Sequence, residues 1–261
     1  MVAPPPLADA PDLFAALAAQ GHARAMVVMA HPDDSEFACG GTVATLARRG
    51  WEVDIVVATS GNKGTKDSRV TPQSLAGVRE EEQRRAAAIL GAREPVFFGF
   101  PDGALRNDDE LRGLVVRQIR IRRPELVLTW DGFRPGFNHR DHRRVGRATY
   151  DAIYPAADDH LYYPAHKEEE LEPHRPAALL LCGSDAPDYH VDIEPVLRTK
   201  VRAVLAHRSQ MRGRSPAELM RMWRERAREQ RRQQAASDSP AGEPEAEPPF
   251  RESYRRVILR R

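Results

Sequence analysis

Lysine is scarce in this chain. Of 40 basic residues only four are lysine (Lys63, Lys66, Lys167 and Lys200), and the other 36 are arginine, a bias of composition that marks no function by itself. Cysteine is scarcer still. Cys39 and Cys182 are too few for a disulfide framework, so a reducing, cytoplasmic setting is expected. Long apolar runs are missing: no stretch approaches 18 uninterrupted apolar residues, which excludes a membrane-spanning helix. Residues 1–6, Met-Val-Ala-Pro-Pro-Pro, lack the basic and apolar regions of a signal peptide, and none is expected there. Excess charge of one sign is absent too. The 40 basic residues face 38 acidic ones, so the chain as a whole is no polycation.

What is present is enough for a folded domain. Hydrophobic residues make up 41% of 261, which excludes global disorder and fits one α/β domain with appendages. The charge is unevenly placed: residues 211–261 hold 13 arginines against eight acids, so the remainder is slightly acidic. Ser215-Pro216-Ala217-Glu218 has the form of a capping box with proline at the first helical position, and predicts a helix to about residue 234. Residues 237–249, rich in Pro, Glu, Ala and Ser, read as a linker, and residues 254–259 as a short docking strand. Mixed charge without interleaved aromatics argues for a solvated or subunit-facing helix rather than a nucleic-acid partner, and the second of these leaves room for a homo-oligomer.

Residues 1–210 alternate in an α/β rhythm. Apolar runs at 25–30, 53–58, 95–98, 125–130, 177–182 and 189–193 read as strands. Helical patterns at 40–49, 72–90, 108–122, 141–154 and 194–207 separate them, two of them stopped by Gly50 and Gly91. This alternation predicts a mostly parallel sheet covered on both faces, with ligands at the carboxyl ends of the strands.

The loop after the first strand narrows the chemistry. It lacks the G-x-G-x-x-G cradle of a dinucleotide site and reads Ala30-His31-Pro32-Asp33-Asp34-Ser35-Glu36. One imidazole and three carboxylates in six residues are a dense ligand set, and zinc takes both donor types at about 2.0–2.2 Å. A second cluster, Asn138-His139-Arg140-Asp141-His142, follows the fourth strand at the same sheet edge. The alternative is that His31 and Asp34 merely cap the next helix while His139 and His142 sit in an exposed loop. Two clusters on two strand ends favour a metal site.

Those stretches, with Phe98-Gly99-Phe100-Pro101-Asp102-Gly103, resemble the LmbE/PIG-L family over roughly residues 24–210, with residues 211–261 as a C-terminal extension. The resemblance implies a Rossmann-like three-layer fold and a divalent metal, usually zinc with iron(II) as the alternative. The implied reaction removes an N-acetyl group from a small amino sugar or glycoside, through a metal-bound water activated by an aspartate. By motif position, His31, Asp34 and His142 are the implied metal ligands, Asp33 the general base, and His139 the imidazole facing the tetrahedral intermediate. Arg79 and Asp102 fall at substrate-contacting positions of the family. Asp141, lying between the two imidazoles, is expected either to orient His139 or to cap the following helix. A protonated His139 whose pKa Asp141 raises is the expectation that goes with it.

Glu36 reads as a helix-start acid, and His207 as a dipole-complementary residue. Asn62, followed by Lys63, stands after Gly61 where several relatives carry a glutamate, a departure that counts against a mycothiol-type substrate. An amidase for thiol conjugates is nevertheless the near rival. From other classes, a non-haem iron oxygenase is disfavoured by the α/β pattern. An idle carbohydrate-binding protein would not need Asp33 beside the ligands.

Overall fold

The computed structural model describes residues 7–8, 10–21, 23–136, 139–238 and 249–259. Seven strands form one sheet: β1 (Arg24–Met29), β2 (Glu52–Thr59), β3 (Val96–Phe100), β4 (Leu126–Trp130), β5 (Ala178–Cys182), β6 (Tyr189–Asp192) and β7 (Arg251–Ile258). Eight α-helices accompany them among the described residues: α1 (Leu13–Ala18), α2 (Asp34–Arg48), α3 (Pro72–Leu90), α4 (Asp109–Arg122), α5 (Arg140–Asp151), α6 (Leu197–Ala206), α7 (Arg208–Met211) and α8 (Pro216–Asp238). None is long and apolar enough to cross a membrane.

The strand order is β3-β2-β1-β4-β5-β7-β6. Pairing is parallel from β3 to β5, and β7 runs antiparallel to both β5 and β6. Side chains alternate across the sheet, as the two-residue period requires. Val27, Met29, Ile55, Val57 and Leu128 pack on one face with α2, α3 and α6. Met26, Val28, Val56, Ala58 and Val127 pack on the other with α4 and α5. Burial on both faces explains why these strands read as continuous apolar runs. The mostly parallel, three-layer α/β architecture is the one expected.

Several boundaries differ from the sequence-based reading. The helix expected from residue 40 begins at Asp34, breaks at Cys39 (φ −145°, ψ 17°) and continues to Arg48. The second half is capped from far away: the Glu252 carboxylate of β7 accepts from the Gly41 and Thr42 amides at 2.8 and 2.6 Å and from Lys200 Nζ at 2.5 Å. The C-terminal strand therefore lies inside the sheet and holds the helix that follows β1. The capping box of α8 forms as expected, with Ser215 and Glu218 exchanging side-chain and backbone bonds. The linker reading of residues 237–249 falls mostly outside the described residues, although Ser237 and Asp238 still belong to α8. Residues 1–6 and Asn138 lie outside them as well.

Candidate metal-dependent active site

β1 is flanked by β2 on one side and β4 on the other, so the chain reverses its direction of growth between β1 and β4. In parallel α/β sheets such a switch point opens a crevice beyond the carboxyl ends of the two strands. His31, Asp33 and Asp34 follow β1, while His139, Asp141 and His142 begin α5 after β4. The topology thus brings together two clusters about 110 residues apart.

The Asp34 carboxylate is the centre of the arrangement. Its Oδ2 accepts from the amides of Ala30 (3.2 Å) and His31 (2.9 Å) and from the indole Nε1 of Trp130 (3.1 Å). Its Oδ1 lies 3.1 Å from His142 Nε2, which is itself 3.2 Å from His31 Nδ1. His31 Nδ1 lies 3.3 Å from Asp34 Oδ2. Ligands at about 2.0 Å around a tetrahedral zinc are about 3.3 Å apart, so the spacing and donor types of these three groups fit the ion.

The other nitrogen of His31 is occupied separately. Nε2 lies 3.2 Å from Asp102 Oδ1 and 3.3 Å from Asp141 Oδ2. An Nε2–H donated to a carboxylate leaves Nδ1 as the free donor, which is how metal-ligating histidines are commonly oriented. Two further groupings share His31 among the described residues, one with His139 and His142, the other with Asp102 and Asp141. In the second, Asp141 already accepts from the Gly103 and Leu105 amides at 2.6 and 3.3 Å. Its role as a brace for His31 is therefore the better fit.

Charge follows from this geometry. Burial disfavours a proton on His31, but the charge of Asp34 and hydrogen bonds to Asp102 and Asp141 outweigh it and push the pKa up to about 12. Burial likewise opposes ionisation of Asp34, yet His142 and His31 hold its carboxyl well below the ordinary range. Three carboxylates around one imidazole make a site of negative potential that a proton or a divalent cation neutralises.

Asp33 is set apart from its neighbour. Its backbone is left-handed at φ 95°, a strained conformation for a non-glycine residue. Two residues of α3 hold it there. Gln83 Oε1 accepts the Asp33 amide at 3.0 Å, and Arg79 donates to Pro32 O at 2.5 Å and Asp33 Oδ2 at 3.1 Å. Burial raises the Asp33 carboxyl to about 6, with Arg79 pulling down and Asp34 pushing up. Arg79 also donates to Gly61 O at 2.8 Å, and a side chain at Gly61 or Gly64 would run into its guanidinium. The Arg79 guanidinium is thus buried within the protein, beside the Asp33 carboxylate. Asp102 faces His31, and its loop is fixed by Asn62 Oδ1 on the Asp102 amide (3.1 Å) and Lys63 Nζ on the Asp102 carbonyl (2.6 Å).

The expected relation between Asp141 and His139 needs correcting. His139 itself caps α5, its Nδ1 accepting the Asp141 amide at 3.2 Å, while the Asp141 carboxylate turns to His31. Its pKa is lowered, first by burial and then by His31 and His142, against the weaker pull of Asp141 and Asp102. A neutral His139 whose Nδ1 accepts carries its proton on Nε2, where it remains a hydrogen-bond donor. Asp141 is not the cap.

Two pairings were missed. Glu36 lies in the first turn of α2, as expected, but it is also fully buried and bonded to Gln83 Nε2 at 2.9 Å and to His207 Nε2 at 3.1 Å. His207 does stand at the C-terminal end of α6, and it is in addition the buried partner of that carboxylate. The signal for Gln83 was its position four residues after Arg79, on the α3 face that buries Leu75, Ala86 and Leu90.

A Rossmann-like sheet with a His/Asp cluster at its switch point defines an α/β protein with a candidate metal site. The description of the PIG-L family, GlcNAc-PI de-N-acetylase, matches residues 26–153. The chain is 33% identical over 204 residues to the diacetylchitobiose deacetylase of Thermococcus kodakarensis, covering 77% of this chain and 73% of that one. It is 28% identical over 233 residues to the 1D-myo-inositol 2-acetamido-2-deoxy-alpha-D-glucopyranoside deacetylase of Actinosynnema mirum, covering 72% and 81%. The solved N,N'-diacetylchitobiose deacetylase of Pyrococcus horikoshii, complexed with its inhibitor MPG, shares the fold with a TM-score of 0.80 at 24% identity, over 92% of this chain and 85% of that one. The chain belongs to the PIG-L/LmbE family.

Proposed function

We propose that this chain is a zinc-dependent N-deacetylase of small N-acetylated amino sugars, with His31, Asp34 and His142 as ligands and Asp33 as general base. The observation that carries this reading is the close grouping of Nδ1, carboxylate and Nε2 donors beside a half-buried, braced second carboxylate. The names of the relatives supply the substrate class, N-acetylglucosamine units as in diacetylchitobiose or a glucosaminyl inositol.

A metal held there would polarise the amide carbonyl and acidify a water molecule. Asp33, ionised above a pKa of about 6, accepts a proton from the attacking water and returns it to the departing nitrogen as the C–N bond breaks. Acetate and a free amine leave. His139 Nε2–H supplies a hydrogen bond where the carbonyl oxygen gains charge. Asp141 and Asp102 keep His31 turned so that Nδ1 faces Asp34 and His142. Arg79 and Gln83 hold Asp33 in its strained backbone position.

A panel of N-acetylglucosamine, N,N'-diacetylchitobiose and N-acetylglucosaminyl glycosides, assayed for acetate and free amine with zinc- or iron(II)-loaded protein, tests the proposal. Release from at least one, lost in Asp33→Asn, is expected. No release from any of them overturns it.

A further inference from the structure

Trp130 closes β4, and its ring touches two groups at once. Its Nε1–H donates to Asp34 Oδ2 at 3.1 Å, and its indole stacks on the His142 imidazole, with centroids 4.4 Å apart and planes 11° from parallel. We propose that Trp130 is a positioning residue of the metal site, fixing the Asp34 carboxylate and the His142 ring in their ligating orientations. The inference rests on the ligand set of the proposed function.

The argument concerns which oxygen is left over. Oδ2 of Asp34 receives three N–H donors, two from the backbone and one from the indole, so it is saturated. Oδ1 is the oxygen beside His142 Nε2. The indole bond therefore fixes the carboxylate with Oδ1 toward His142 Nε2 and Oδ2 on the amides, 3.3 Å from His31 Nδ1. Stacking acts on the second group: an imidazole lying nearly parallel to an indole at this distance cannot turn about its Cβ–Cγ bond without losing the contact. The rest of His142 sits on α5, which approaches β4 closely because Gly146 meets the Trp130 carbonyl. Trp130 is thus where β1, β4 and α5 are tied together around the ligands. Groups that orient metal ligands in this way typically cost 10–100-fold in metal affinity when removed.

Trp130→Phe retains an aromatic ring and deletes the N–H, whereas Trp130→Leu deletes both. Zinc affinity by competition with a chromophoric chelator should fall about tenfold or more in Trp130→Phe and further in Trp130→Leu. Tryptophan fluorescence gives a second readout that general destabilisation would not reproduce. Cobalt(II) should quench a component of wild-type emission with one-site saturation, and that component should be missing in Trp130→Phe, because Trp51 packs on Phe14 and Trp223 under Lys200. Wild-type zinc affinity in Trp130→Phe overturns the role of Trp130 while leaving the ligand set standing. Should the variants fail to fold, wild-type emission unchanged at cobalt saturation overturns it. A wild-type protein that binds neither metal overturns this inference and the proposed function together.

Discussion

Asp33 and Asp34 are neighbours with opposite surroundings, and single substitutions should separate them. Asp34 faces two imidazoles and is held ionised; Asp33 faces Arg79, and burial raises it to about 6. Asp34→Ala should lose metal. Asp33→Asn should keep metal and KM while lowering kcat by about 10²–10⁴-fold, the usual worth of a general base. Equal loss of metal in both variants would merge their roles. His207 gives a prediction in stability. Burial works against its proton, but the bond to Glu36 and the charge of Glu36 outweigh that and raise its pKa. A raised histidine stabilises the fold fully below its unfolded value near 6.5, and the contribution fades as pH rises through the folded value. His207→Gln should cost about 3 kcal/mol in urea unfolding at about pH 6, and the gap to wild type should narrow on going alkaline. A gap independent of pH would mean that no proton is bound there.

At the scale of elements, local chemistry was readable and distant chemistry was not. The helix expected at residues 72–90 is α3 at those bounds, because Thr71 and Ser74 form a capping box and Gly91 adopts φ 80°. The start of α2 was misplaced by six residues, since its first turn is the polar ligand loop and carries no apolar period. Its interruption at Cys39 is capped by Glu252, a partner more than 200 residues away that no local pattern announces. The contact of α5 with β4 is equally silent in the sequence. A Cβ at Gly146 would collide with the Trp130 carbonyl and come within 2.8 Å of the Gly132 nitrogen. Gly146→Ala should therefore push α5 outward, costing about 1–3 kcal/mol by thermal unfolding. Because α5 carries His142, zinc affinity should fall with it. Unchanged affinity in this variant would show that the ligands tolerate movement of the helix.

For the whole molecule, the meeting of the two clusters in one candidate site was legible because an α/β rhythm puts ligands at strand ends, and two His/Asp clusters follow two of those ends. Their internal pairing was not legible. Adjacency suggested that Asp141 serves His139, whereas the fold turns it to His31, 110 positions back in the chain. In the sequence Trp130 only ends an apolar strand, and nothing local places its indole against Asp34 and His142. The central claim is that His31, Asp34 and His142 together hold one metal ion on which activity depends. Elemental analysis of protein purified without chelator, wild type beside His142→Ala, tests it most directly. The account predicts about one zinc per wild-type chain, removed by chelator with loss of deacetylation and restored by zinc, and almost none in a folded His142→Ala. Wild-type protein without stoichiometric divalent metal, or a His142→Ala variant that retains it, would contradict the account.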